Sequence, residues 1–340
     1  MSDYTPCSSP IFLVGSERSG SNLLRSLIGN HSMVEAPTAP HFFDQWSHAL
    51  WAYGDLRVPA NMGYLITDMV EYANHEFNNW HLQLDVEQVV AEQGPKSFWD
   101  AYDVVYRAKA AMHGKSIFSS KDNHIFNYTF QIKARWPDSK LLFLYRDPRD
   151  HCASWKQKPM HLKTVWDSIS KWEQEQRLCL DLVQHHGVDM HFVSYEDLIT
   201  DTPKVMSRAL GYCGLPVEEA CFQTDSAKQK ATAERFVYWE NLDKPIIREN
   251  AQKYRKTLTE EEINMIETKV GGLMTTLGYT CETKRNWRVP MAHAWRLRME
   301  RKKVETKDRE HLEKELAILH SKVKCRNEIK QRAKSRAVVR

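Results

Sequence analysis

The feature that most constrains this chain is a short apolar run, Ile11-Phe12-Leu13-Val14, that stops at Gly15 and leads through a polar loop into an apolar helix pattern. Four apolar residues without alternation suit a strand buried on both faces, as parallel strands are. Gly20 with Ser21 or Asn22 supplies a helix start, Leu23, Leu24, Leu27 and Ile28 its apolar stripe, and Gly29-Asn30 its stop. The pattern recurs. Leu141-Leu142-Phe143-Leu144-Tyr145 is the clearest buried strand, broken by Arg146-Asp147-Pro148-Arg149-Asp150 and followed by a helix through Ser154 and Trp155. Residues 116–119 and 190–193 read as two further strands, and 125–135 as a helix ended by Trp136-Pro137-Asp138. Strands alternating with helices predict an α/β fold: a mostly parallel sheet covered on both faces, three layers in all. Ligands on such sheets sit beyond the carboxyl ends of the strands, and both polar breaks fall at that edge.

A chain of 340 residues with 42% hydrophobic and 27% charged side chains is ordinary for a globular protein and excludes a collagen-like or disordered one. No apolar run approaches the roughly 20 residues that span a bilayer. The first ten residues carry no basic stretch with an apolar core, and the seven cysteines are scattered without a CxxC pair. A cytoplasmic address is therefore expected, with no membrane span and no metal centre. The charge is uneven. Residues 284–340 hold 19 Lys/Arg against 7 Asp/Glu, so the other residues are net acidic. A mildly acidic body does not suit a nucleic-acid partner; a homodimer or a contact with an anionic surface would run through the basic tail. We therefore divide the chain into a body, 1–283, and a basic helical tail, 284–340. Within the body, 42–111 is rich in aromatics without strand alternation and is expected to be helical. In the tail, Leu312, Leu316, Leu319 and Val323 form one stripe, and Glu305/Arg309, Glu310/Lys314 and Glu328/Arg332 are spaced for pairs along a helix.

The first break reads Gly15-Ser16-Glu17-Arg18-Ser19-Gly20-Ser21-Asn22. Glycines between a strand and a helix let backbone amides curl around a phosphate at the helix N-terminus. A triphosphatase would follow the second glycine with Lys and then Ser or Thr. Ser21 and Asn22 stand there instead, and the cation is Arg18. The second break puts Arg146 at the end of a buried strand and Ser154 on the next helix. A guanidinium fork at that place clamps phosphate, although an ion pair between Arg146 and Asp147 would use the same residues structurally.

Together these motifs resemble the PAPS-dependent sulfotransferases. Arg18-Ser19-Gly20-Ser21-Asn22 is similar to the family's loop for the 5′-phosphosulfate. Arg146 through Ser154 is similar to its segment for the donor's 3′-phosphate, and Val193-Ser194-Tyr195-Glu196-Asp197-Leu198 to a later Tyr-Glu-Asp-Leu segment. The resemblance covers roughly residues 10–280. It implies a parallel sheet of the P-loop nucleotide-binding kind, with helical insertions and a helical tail, and a sulfuryl transfer from 3′-phosphoadenosine 5′-phosphosulfate (PAPS), leaving PAP, without a metal. The acceptor would be a hydroxyl or amine of a small molecule or carbohydrate; the aromatics of 42–111 are expected mainly to pack helices, with a lining of the acceptor side as the alternative. Two departures stand out: Leu23 replaces a Trp that stacks on adenine in members acting on phenols and steroids, and Lys253-Tyr254-Arg255-Lys256 replaces their Lys-Gly-rich loop. The chain is thus closer to the bacterial, carbohydrate- and tyrosine-directed members.

By this resemblance the donor is held by Arg18, Ser19, Gly20, Ser21, Asn22, Arg146 and Ser154, with Tyr195, Lys253 and Arg255 as further contacts. Arg18 and Lys121 would steady charge on the leaving oxygen. An alcohol acceptor needs a general base. His41 and His124 compete for that role, with Glu35 as an outside candidate. His41 is preferred, because two prolines hold its loop and aromatic residues follow it. The rivals are a small-metabolite kinase, and a non-catalytic scaffold acting through the tail.

Overall fold

A computed structural model describes residues 9–157, 164–225, 244–283 and 313–338. The chain begins with β1 (Ile11–Gly15), α1 (Ser21–Gly29) and a two-residue strand β2 (Val34–Glu35). The aromatic stretch forms α2 (Phe42–Trp46), α3 (Pro59–Asn74), α4 (Val86–Gln93) and α5 (Phe98–Met112). Then come β3 (Ile117–Lys121), α6 (Thr129–Arg135), β4 (Lys140–Tyr145), α7 (Pro148–Lys156), α8 (Val165–Gln184) and β5 (His191–Ser194). The helices α9 (Tyr195–Thr200), α10 (Thr202–Tyr212), α11 (Tyr254–Thr257), α12 (Glu260–Thr276) and α13 (Glu313–Val338) follow. β2 was not expected, since two residues carry no readable periodicity.

The sheet runs β2-β3-β1-β4-β5 and every pairing is parallel. The alternation of side chains along each strand separates the layers. Phe12 and Val14 of β1, with Leu141 and Phe143 of β4, join the core under α2, α3 and α5. Ile11, Leu13, Leu142 and Leu144 face the opposite core with α1, α9 and α10. A third cluster unites α7, α8 and α12. The three-layer α/β expectation is met. After β1 the chain builds one side of the sheet (β2, β3) and then crosses to the other (β4, β5), so the switch point lies at the carboxyl ends of β1 and β4. Gly15 stands beside Leu144 there, and a Cβ at Gly15 would clash with the Leu144 carbonyl.

The tail helix α13 packs Ile329 and Ala333 into the core against α3 and the turn Leu50–Tyr53. Arg332 reaches Asp68 at 2.7 Å and Glu71 at 2.5 Å, and Arg336 reaches Asp68 at 3.6 Å. The expected pairing of Arg332 with Glu328 does not form. Asp68 is wholly buried and holds Arg332, and Glu328 takes Lys324 at 3.9 Å instead. Val323 of the expected stripe is 39% exposed. Leu312 and the pairs Glu305/Arg309 and Glu310/Lys314 involve residues outside those described. Among the described residues no helix is long and apolar enough to cross a membrane.

Candidate active site

The β1–α1 loop ends on Gly20, which caps α1 without any side-chain cap bond. The first turn of α1, where Ser21 and Asn22 lie, therefore keeps its amides for an anion. Gly20 has φ +93°, and a Cβ there would collide with the Tyr195 ring, so only glycine suits the place. Ser19 is fully buried, and its Oγ has no hydrogen-bond partner among the described residues. Arg18 adopts φ 65° and donates from Nε to Ser154 Oγ at 3.2 Å. That contact joins the two sequence motifs across the switch point.

Arg146 leaves β4 and donates to the Arg18 carbonyl at 3.0 Å and the Asn250 carbonyl at 3.0 Å. Its guanidinium lies 4.2 Å from the Tyr195 ring centroid, and its Nε is buried without a partner among the described residues. The alternative ion pair does not form: Asp147 binds Arg149 at 2.6 Å, and Arg149 also binds Glu267 at 2.6 Å. The rest of this segment is scaffolding. Asp147 caps α7, while its own N–H donates to Glu196 at 3.0 Å, and Tyr279 donates to Glu196 at 2.8 Å. Asp150 accepts from the amides of Gln252 and Tyr254 at 2.6 and 2.9 Å, which brings the Asn250 carbonyl to Arg146.

On the other side of the loop, α2 and the end of β3 converge. His41 and His124 both occupy left-handed backbone, at φ 59° and φ 60°. Such strain in a non-glycine residue collects at working sites. The Asn123 amide donates to His41 Nδ1 at 3.1 Å, so the neutral ring carries its proton on Nε2. Burial, with Lys322 next, pushes His41 well below the usual histidine range. His124 differs: its Nδ1 lies 3.1 Å from the Asp44 carboxylate, which only accepts, leaving the Nε2 lone pair open. That hydrogen bond raises the His124 pKa. The hydrogen bonds therefore favour His124 over His41 as a proton acceptor, the reverse of the sequence preference, because tautomer depends on contacts that no spacing shows.

Lys121, at the end of β3, is pushed down to about 8 by burial, with Glu17 opposing. Glu17 accepts from Asn123 Nδ2 at 3.1 Å and from Lys171 at 2.6 Å, tying the loop to β3 and α8. Glu35 does not join this cluster. Its carboxylate is bound by His113 at 2.9 Å, with Lys115 at 3.8 Å. Arg255 is exposed and pairs with Glu282, while Lys253 lies at the N-cap of α11. Tyr195 packs beneath Gly20 and Arg146, and its hydroxyl accepts from Asn250.

Several site residues escaped the sequence reading. Asp44 and Asp122 approach His41, with ligand-type atoms of all three within 4.8 Å. Each is already engaged: Asp122 accepts from the Phe43 amide at 3.1 Å, Asp44 holds His124, and His41 takes Asn123. From α8, Trp172 donates to the Arg146 carbonyl at 3.2 Å and Gln176 to Ser16 at 2.8 Å. Gln176 on the apolar stripe of Ile169, Trp172 and Leu180 was a sequence signal, and the structure buries it wholly. Lys322 of α13 lies 3.6 Å from the Phe77 ring centroid, and its charge acts on His41 and Asp122.

The family model described as "Sulfotransferase family" matches residues 10–219, the span that holds both loop motifs, His41 and His124. The chain belongs to the sulfotransferase family. Two solved sulfotransferase structures share the fold. The sulfotransferase domain of the Synechococcus PCC 7002 olefin synthase is 19% identical with a TM-score of 0.52, covering 79% of this chain and 96% of that one. The sulfotransferase domain from the curacin biosynthetic pathway is 18% identical with a TM-score of 0.55, covering 81% and 99%. An uncharacterized protein of Aquifex aeolicus (strain VF5) is 23% identical over 294 residues, 78% of this chain. The chain spans 35% of that relative's length.

Proposed function

We propose that this sulfotransferase-family chain moves a sulfuryl group from PAPS to a hydroxyl or amine of a small-molecule or carbohydrate acceptor. The observation that carries this reading is the Arg18–Ser154 contact at the switch point, with Ser19 Oγ and Arg146 Nε buried beside it and unpartnered among the described residues. Those orphaned donors and the uncapped α1 suit a nucleotide with phosphates at both ends. PAPS, when bound, supplies the sulfuryl group and a phosphate leaving group.

The chain's own residues do the rest. The α1 amides, Ser19 and Arg18 hold one phosphate; Arg146 and Ser154 hold the other. Arg18 and Lys121 bring positive charge to the leaving oxygen, where stabilisation counts most as charge develops. His124, oriented by Asp44, takes the acceptor proton at Nε2. His41 Nε2–H and Lys322 line the acceptor side, which makes α13 a neighbour of the catalytic body. A cytoplasmic setting accords with this donor. Titration with PAP and with magnesium-ATP tests the reading: PAP binds and magnesium-ATP does not compete. Tight magnesium-ATP binding without PAP binding would contradict it.

A further inference from the structure

His151 lies on α7 one helical turn before Ser154, so the two side chains share a face. On that face Ser154 receives Arg18. His151 is 1% exposed, and the Trp155 indole N–H donates to its Nε2 at 3.1 Å. An indole nitrogen only donates, so Nε2 keeps its lone pair and the neutral ring must carry its proton on Nδ1. Burial, with Arg146 next, pushes His151 down to about 3, so the ring is neutral at physiological pH. Its Nδ1 has no hydrogen-bond partner among the described residues. A buried N–H without an acceptor is costly and calls for an explanation. Arg146 from β4, Lys171 from α8 and Arg18 from the loop all act on this ring, with Glu17 as the acidic group among them. A donor unpartnered among the described residues and lying in the field of cations from three elements is suited to an anion.

We propose that His151 is a further donor-binding residue whose Nδ1–H donates to a phosphate oxygen of the nucleotide beside Arg146 and Ser154, with Trp155 fixing the tautomer. This rests on the PAPS reading above. It also assigns Trp155 a positioning role, because loss of the indole N–H lets the proton move to Nε2.

Calorimetric titration with PAP tests it. His151→Phe should weaken PAP roughly tenfold, whereas His151→Asn, whose amide nitrogen can stand near the Nδ1 position, should stay within about threefold of wild type. Trp155→Phe should weaken PAP about three- to fivefold. In nitrogen-15 spectra of the wild-type protein, the His151 Nδ1–H signal should shift when PAP is added; this readout needs no variant that might fail to fold. Wild-type PAP affinity in folded His151→Phe, or a His151 signal that PAP leaves in place, overturns the proposal and leaves the PAPS reading standing. Failure of the wild-type protein to bind PAP overturns the PAPS reading itself.

Discussion

His124 and His41 show how little residue type alone decides. Both are histidines in left-handed backbone beside the same loop, yet one offers a lone pair and the other a proton. His124→Ala should cut turnover about 100-fold or more with PAP affinity nearly unchanged. His41→Ala should cost less, and the reverse ranking in a steady-state assay would return the base role to His41. The pH profile follows from the same groups. His124 must be deprotonated to act, and its raised pKa sets a rising limb above the usual histidine value. Lys121 must be protonated, and its pKa of about 8 sets a falling limb as its charge is lost. Lys121→Met should abolish that falling limb while lowering the plateau; a falling limb that survives the substitution assigns it to another group.

Among the elements, α13 is the expected tail helix, and the structure adds which groups hold it: Arg332 and Arg336 are engaged by Asp68 of α3, which also accepts from Tyr53 at 2.8 Å. Asp68→Ala leaves two guanidinium groups without their buried counter-ion and should cost about 3–5 kcal/mol. Arg332→Ala, at a half-exposed site, should cost only about 1–2 kcal/mol, since Arg336 and Tyr53 still hold Asp68. Thermal melts of the two variants check this ranking. Because Arg332 is engaged by Asp68 and Glu71 of α3, PAP affinity should survive Arg332→Ala. A large loss of PAP binding without unfolding would place α13 on the donor side.

For the molecule as a whole, the parallel sheet was legible because buried strands are continuous apolar runs, and the two loops that meet at its edge because each is a polar break of fixed residue types after such a run. β1, β4 and the Arg18–Arg146–Ser154 constellation were therefore readable in one dimension. The roles of Asp44, Asp122, Lys171 and Lys322 were not. They depend on which helices fold back on the sheet, and no local period records that. Glu35 was misplaced for a related reason: β2 turns its carboxylate toward His113 and Lys115. The central claim is that the loops after β1 and β4 form one nucleotide site with Arg146 at its centre. Calorimetric titration of PAP into wild type and into folded Arg146→Ala tests it most directly. Removing that charged fork should cost about 2–4 kcal/mol, roughly 30- to 1,000-fold in affinity. Equal PAP affinity in the two proteins would contradict it.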